Sequence, residues 1–241
     1  MKRIKALLIG DLKNITRDSL LVYIPFGSII MALLIRFITI YLNKFLIQNY
    51  QFSLEPYYPL LMSFIVLSIP SFFGMIIGFL LLDERDEQIL NFIAVTPLSK
   101  SRFLLYRTGL PVAINIVFTI IGLMVAGLTK TNYLSILPVI IMASLEAPMV
   151  ALFLGTFAAN KIEGLALAKA TGILYFAPLV ILFIPMPWQL LAGFIPTYWI
   201  SKAYLEIGRN HQIYWFSILA GLFIHLVIIR FLLHKFRQKT D

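Results

Sequence analysis

Four carboxylates, Asp83, Glu84, Asp86 and Glu87, fall within five positions around Arg85, in a chain of 241 residues that has only 11 acidic ones. Three further ionisable residues stand alone in apolar surroundings: Glu146 in MASLEAPMV, Lys169 in LALAKATG and His225 in GLFIHLVII. Groups so placed face a protein interior or a watery cavity, and each is a candidate for carrying a proton or touching a substrate. Glu146, followed by Pro148, has two readings: a substrate-path or proton-linked carboxylate, or a helix-packing residue beside a proline kink. Lys169 can reach a polar boundary by extending its aliphatic arm. Its depth differs from that of Glu146 by about two turns, at ~1.5 Å rise per residue, which argues against their pairing. His225 has no obvious partner and reads as a packing histidine.

Other chemistry is scarce. The chain has no GxxxxGK[ST], HExxH or GxSxG pattern. No carboxylate pair brackets a plausible pocket. Cysteine is absent and the three histidines are scattered, which excludes disulfides and thiolate metal sites and argues against a histidine-built one. Catalysis by this chain alone is not expected, and neither is a cofactor or metal on it.

The elements that hold these residues follow from composition. Hydrophobic residues make up 60% of the chain and charged ones 13%, with a mean hydropathy of +0.90. A soluble domain has about 45–50% and about 25%. So much apolar surface cannot be hidden in a soluble fold of this length, so the expected solvent is the bilayer. The fold class is all-α integral membrane. Six stretches are long enough to span: 20–42, 57–82, 103–128, 134–158, 165–184 and 213–233, within one transmembrane domain over 1–241. Residues 1–19 place Ile4, Leu7, Leu8, Leu12 and Ile15 at helical spacing among basic residues, which predicts an amphipathic helix on the membrane surface and not a signal peptide.

Lysine and arginine orient the spans. One side collects Lys2, Arg3, Lys5, Lys13 and Arg17, then Arg85, Lys100, Arg102 and Arg107, then Lys161 and Lys169, and finally Arg230, Lys235, Arg237 and Lys239. The other side has Lys44, Lys130, Lys202 and Arg209, and Arg36 near the outer end of span one is expected to extend outward. Both termini and the acidic cluster are therefore expected in the cytoplasm. The formal charge of +9 is a topology signal beside apolar spans, so no nucleic-acid partner is expected. On the outer side, residues 185–212 are too apolar for a solvated loop and too broken by Pro185, Pro187 and Pro196 to span. Trp188, Tyr198, Trp199 and Tyr204 suit the headgroup region, and a re-entrant pair of short helices is expected before the sixth span. Gly155, Ala158 and Ala159, then Gly164, Ala168 and Gly172, predict close packing of spans four and five against each other or against a second subunit.

Downstream of the acidic cluster, Ile89, Phe92 and Ile93 share a helical face with Leu90 beside them, and Thr96-Pro97 ends that helix. Ser99 or Ser101 can cap the helix entering span three. Four carboxylates beside an anionic inner leaflet would be repelled, so residues 83–102 read as a surface for a basic protein partner.

DERDEQILNFIAVTPLSKSRFLLYR resembles the cytoplasmic segment between the second and third spans of ABC-2 type transporter permeases. Glu84, Glu87, Leu90, Thr96, Pro97, Leu98 and Ser99 match that pattern, although EQILN replaces the usual Glu-x-Gly-Thr-Leu-Glu wording. The NKIEGLALAK run and the later PTYW are similar to permeases of fluoroquinolone exporters. The resemblance implies a type V-like exporter half with six spans, in the inner membrane of a bacterium or archaeon. It implies two permease subunits, identical or different, around a substrate path. Separate ATPase subunits would bind ATP and magnesium, leaving this chain free of cofactors, and would couple through Asp83, Glu84, Arg85, Asp86, Glu87, Leu90 and Thr96 to Ser99. Two other classes remain open: a proton-coupled carrier or membrane enzyme centred on Glu146, and a non-pumping immunity or anchor subunit.

Overall fold

The computed structural model of the chain describes residues 19–87, 100–130 and 132–240. The described residues are helical with short connections: α1 (Ser19–Tyr50), α2 (Tyr58–Asp86), α3 (Lys100–Ala126), α4 (Tyr133–Ser144), α5 (Glu146–Phe157), α6 (Lys161–Thr171), α7 (Ala177–Phe183), α8 (Pro196–Leu205) and α9 (His211–Thr240). Three short 3₁₀ segments, Glu55–Tyr57, Gly172–Phe176 and Trp188–Phe194, join or extend them. In an apolar solvent a backbone must satisfy its own hydrogen bonds, and the helix does so within one segment. Among the described residues six helical stretches are long and apolar enough to cross a membrane: Phe26–Tyr50, Glu55–Asp86, Leu105–Ala126, Tyr133–Phe157, Lys161–Phe183 and His211–Lys239.

Two of these form the core. α2 and the α4–α5 pair are mostly buried, whereas α1, the α6–α7 stretch and α9 wrap around them with apolar side chains such as Phe37, Ile38, Phe223 and Leu226 exposed. α2 and α5 touch closely at Gly74, where a Cβ would stand 2.7 Å from the Ala147 carbonyl oxygen. Gly155 and Gly164 also admit close neighbours. Gly155 faces Phe236 of α9, and Gly164 faces Leu82 and Phe79 of α2. The tight space at these two glycines serves the last helix and the core helix, while α5 and α6 also touch each other directly.

Helix limits also differ from the apolar runs. α1 continues to Tyr50, beyond the expected limit at 42, and stops where Gln51 adopts a left-handed φ of 52°. Asn43 is accommodated there because its Oδ1 accepts from the Leu54 amide at 2.7 Å. The Arg36 guanidinium donates to the Val125 carbonyl at 2.9 Å, satisfying the far end of α3. Between α7 and α9 the expected pair of short elements is present, a 3₁₀ turn over Trp188–Phe194 followed by α8. α8 packs against α9, α2 and α4, and the Trp199 Cβ lies 2.9 Å from where a Cβ on Gly221 would stand. Gly221 is ten residues into α9, so α8 reaches about 15 Å down that helix. Trp199 donates to the Gly193 carbonyl at 2.7 Å and Thr197 to the Leu174 carbonyl at 2.6 Å, which fix the inserted helix. Burial, with Glu206 adding to it, pushes the Tyr198 phenol above its ordinary value, so it donates to Gln189 as a neutral hydroxyl.

Candidate functional site

The acidic cluster is the last turn of α2, and its consecutive residues reach different neighbours. Asp83 binds Lys161, at the start of α6, at 3.1 Å. Glu84, only 5% exposed, pairs with Arg107 of α3, which is 4% exposed and lies over the Phe103 ring. Arg85 turns to the end of α5 and donates to the carbonyls of Gly155 at 3.2 Å, Ala158 at 2.9 Å and Ala159 at 2.7 Å. Lys239 of α9 joins it, donating to Thr156 at 2.8 Å and Ala158 at 3.3 Å. A helix ends on four unpaired carbonyls and a partial negative charge, so two cations there satisfy both needs. The adjoining start of α6 is capped reciprocally: Asn160 accepts from the Glu163 amide at 3.0 Å and Glu163 accepts from the Ala159 amide at 2.6 Å. Asp86 and Glu87 remain exposed at this end. Leu90, Thr96, Pro97, Leu98 and Ser99, like the amphipathic segment 1–18, lie outside the described residues.

A second polar cluster lies halfway along the spans, at the junction of α4 and α5. Pro148 has no amide hydrogen, which frees the Ser144 carbonyl four residues earlier. Asn115 of α3, fully buried, donates to that carbonyl at 3.3 Å. One residue on from the Leu145 turn, Glu146 Oε1 faces His225 Nε2 of α9 at 3.4 Å, with both side chains sealed from solvent. The partner that His225 lacked in the sequence is thus Glu146, because α5 and α9 happen to cross at this depth. His225 Nδ1 lies 2.7 Å from the Gly221 carbonyl, which only accepts, so Nδ1 carries a proton. Nε2 and Oε1 would then repel unless one further proton lies between them. Glu146 Oε1 and His225 Nε2 are both buried and make no hydrogen bond among the described residues. Lys169 takes no part: its side chain is exposed on α6.

Beside this pair, α5, the 170–174 stretch, the 194–196 turn and α9 enclose an apolar groove of about 520 Å³, lined by Met149, Phe153, Leu174, Phe194, Pro196 and Phe231 among others. Its size lies within the range of about 300–1,000 Å³ common for small-molecule pockets. Among the described residues no group of three or more histidines and carboxylates is arranged to hold a metal. Sequence reasoning did not find Asn115, nor the roles of Lys161 and Lys239, which counted there only as topology charges. A proline in mid-span, with a buried amide sought at matching depth, is the signal that leads to Asn115.

The sequence matches the family described as fluoroquinolones export permease protein Rv2686c-like over residues 11–233. It is 29% identical over 233 residues to fluoroquinolones export permease protein MT2760 of Mycobacterium tuberculosis strain CDC 1551 / Oshkosh, covering 95% of this chain and 92% of the relative. The same figures hold for fluoroquinolones export permease protein Rv2686c of strain ATCC 25618 / H37Rv. No solved structure matches the chain. With the match running through nearly all of a six-span helical molecule, the chain belongs to the Rv2686c-like family of fluoroquinolones export permeases, membrane subunits of ABC exporters.

Proposed function

We propose that this permease exports fluoroquinolones or similar amphiphilic aromatic drugs, taking them into the groove between α5, α8 and α9. Two permease subunits face one another, and separate ATPase chains that hold ATP and magnesium dock on the cytoplasmic side. That side is the end bearing Asp86, Glu87 and the basic residues, so both termini are cytoplasmic and the membrane is a prokaryotic inner membrane. The segment 83–99 is the coupling surface. The observation that carries this reading is the convergence of α2, α3, α5, α6 and α9 on the Asp83–Arg85 turn. A push on that turn reaches α5 and α9, the two helices that form one wall of the groove and carry Glu146 and His225. α8 occupies the outer leaflet as a re-entrant element that shapes the groove's other end.

Co-expression with a cognate ATPase, purification and reconstitution test this. A fluoroquinolone is expected to stimulate ATP hydrolysis by the complex, and replacing Phe153 and Phe231 with alanine to abolish that stimulation without loss of assembly. Drug-independent hydrolysis in both proteins would refute the assigned path. The sealed Glu146–His225 pair favours a second reading in which a proton gradient drives transport. Transport that survives without any ATPase and fails in Glu146→Gln would establish that alternative.

A further inference from the structure

We propose that the basic half of α9 carries a binding site for the headgroup of an anionic phospholipid, centred on Arg230. α9 contains no aspartate or glutamate. Arg230, His234 and Arg237 recur at spacings of four and three, so they share one helical face, with Leu226, Ile229 and Leu233 beside them. These residues line an open cavity of about 730 Å³. Two other arginines of the spans are satisfied within the chain, Arg36 by the Val125 carbonyl and Arg107 by Glu84. Arg230 is exposed and makes no hydrogen bond or ion pair among the described residues. It lies five residues, about 7.5 Å, to the apolar side of Lys235. A guanidinium there is costly in hydrocarbon unless an anion meets it.

The geometry selects the anion. An arginine arm is long enough to reach a phosphate at the basic end of the helix, and Leu226, Ile229 and Leu233 beside it offer a track for acyl chains. A zwitterionic headgroup would bring its amine against Arg230, and the α9 sequence offers that amine no carboxylate. A two-fold contact with a second copy through this face would set arginine against arginine. An anionic diester with two acyl chains is the occupant that satisfies both the charge and the apolar track.

The test uses the full chain, delipidated in detergent micelles, titrated with phosphatidylglycerol or phosphatidylcholine and read by native mass spectrometry. Phosphatidylglycerol is expected to bind about tenfold more tightly, and Arg230→Gln to weaken it about fivefold while leaving phosphatidylcholine unchanged. Arg230→Lys is expected to retain the preference, and Arg209→Gln, at the opposite end, to change neither lipid. Should Arg230→Gln fail to fold, the wild-type chain still decides: raising salt must weaken phosphatidylglycerol and spare phosphatidylcholine. Equal binding of the two lipids, or a preference that survives Arg230→Gln, overturns the proposal. Displacement by inorganic phosphate assigns the site to a soluble anion and also overturns it. So does a shift in the monomer–dimer ratio with lipid preference intact, which assigns the face to a second copy.

Discussion

Consecutive residues on a helix point about 100° apart, and three of them at the end of α2 therefore address three neighbours. Glu84 is the one turned inward. Removing it leaves Arg107 as a buried charge without its counter-ion, at a cost of about 3–5 kcal/mol. Glu84→Ala is thus expected to unfold well below the wild type in a detergent thermal melt, and Arg107→Met in the same chain to restore part of the loss. Asp86→Ala and Glu87→Ala should leave the melt unchanged, so that a pull-down with the ATPase reads docking alone in those variants. A normal melt for Glu84→Ala would mean the pair adds nothing to stability. At Glu146 the buried contact with His225 sets a different order. Glu146→Gln can still donate to His225 Nε2 across the 3.4 Å gap, whereas His225→Phe strands a carboxylate in the core. His225→Phe should therefore lower the melting midpoint more than Glu146→Gln, and the reverse order would show that His225 is not what satisfies Glu146. The acidic cluster and the lone Glu146 are visible in the sequence because charge is scarce there. Their partners are not, since Glu84 and Arg107 stand 23 positions apart in the numbering and Glu146 and His225 stand 79 apart. Only the crossing of helices sets those depths.

At the scale of elements, the break between α4 and α5 is the least regular feature of the core. Pro148 and Asn115 account for it together: one frees a carbonyl and the other occupies it. That division of labour is open to a double-mutant cycle followed by thermal or denaturant unfolding. Asn115→Leu alone leaves the Ser144 carbonyl unsatisfied and should cost about 1–3 kcal/mol. With Pro148→Ala as background an amide is again available in the helix, and the same substitution should cost distinctly less. Additive effects would show that Asn115 acts on something other than that carbonyl. Apolar run length makes the six spans legible, but it misplaces their ends. The run before the acidic cluster stops at Leu82, yet α2 continues to Asp86 because Lys161, Arg107 and the α5 carbonyls satisfy its polar turn. Likewise Gly155 and Gly164 are legible as close-packing sites, whereas a Cβ on Gly172 would meet open space, and which helices the first two meet is set by the crossing of elements.

At the scale of the molecule, two buried spans are surrounded by largely exposed ones, and the ion pairs are concentrated at one end. Asp83 to α6, Glu84 to α3, and Arg85 with Lys239 to α5 bind those helix ends into one block. The groove lies further along the same helices, where Phe153, Leu174 and Phe231 face one another without polar ties. A block held by charges and a groove held by apolar contact respond differently to force: the block transmits, and the groove, lacking directional bonds, opens. The absence of cysteine makes this testable, since any introduced pair is the sole site of thiol chemistry. Asp83→Cys with Lys161→Cys, bridged by a short bismaleimide, ties α2 to α6 where an ion pair already does so. Drug-stimulated ATP hydrolysis by the reconstituted complex should survive that bridge. A bridge between Leu174→Cys and Phe231→Cys, across the groove, should abolish it while ATPase binding persists. If the first bridge stops transport instead, α2 and α6 slide past one another during the cycle, and the ion pair between them is broken and remade at each turnover.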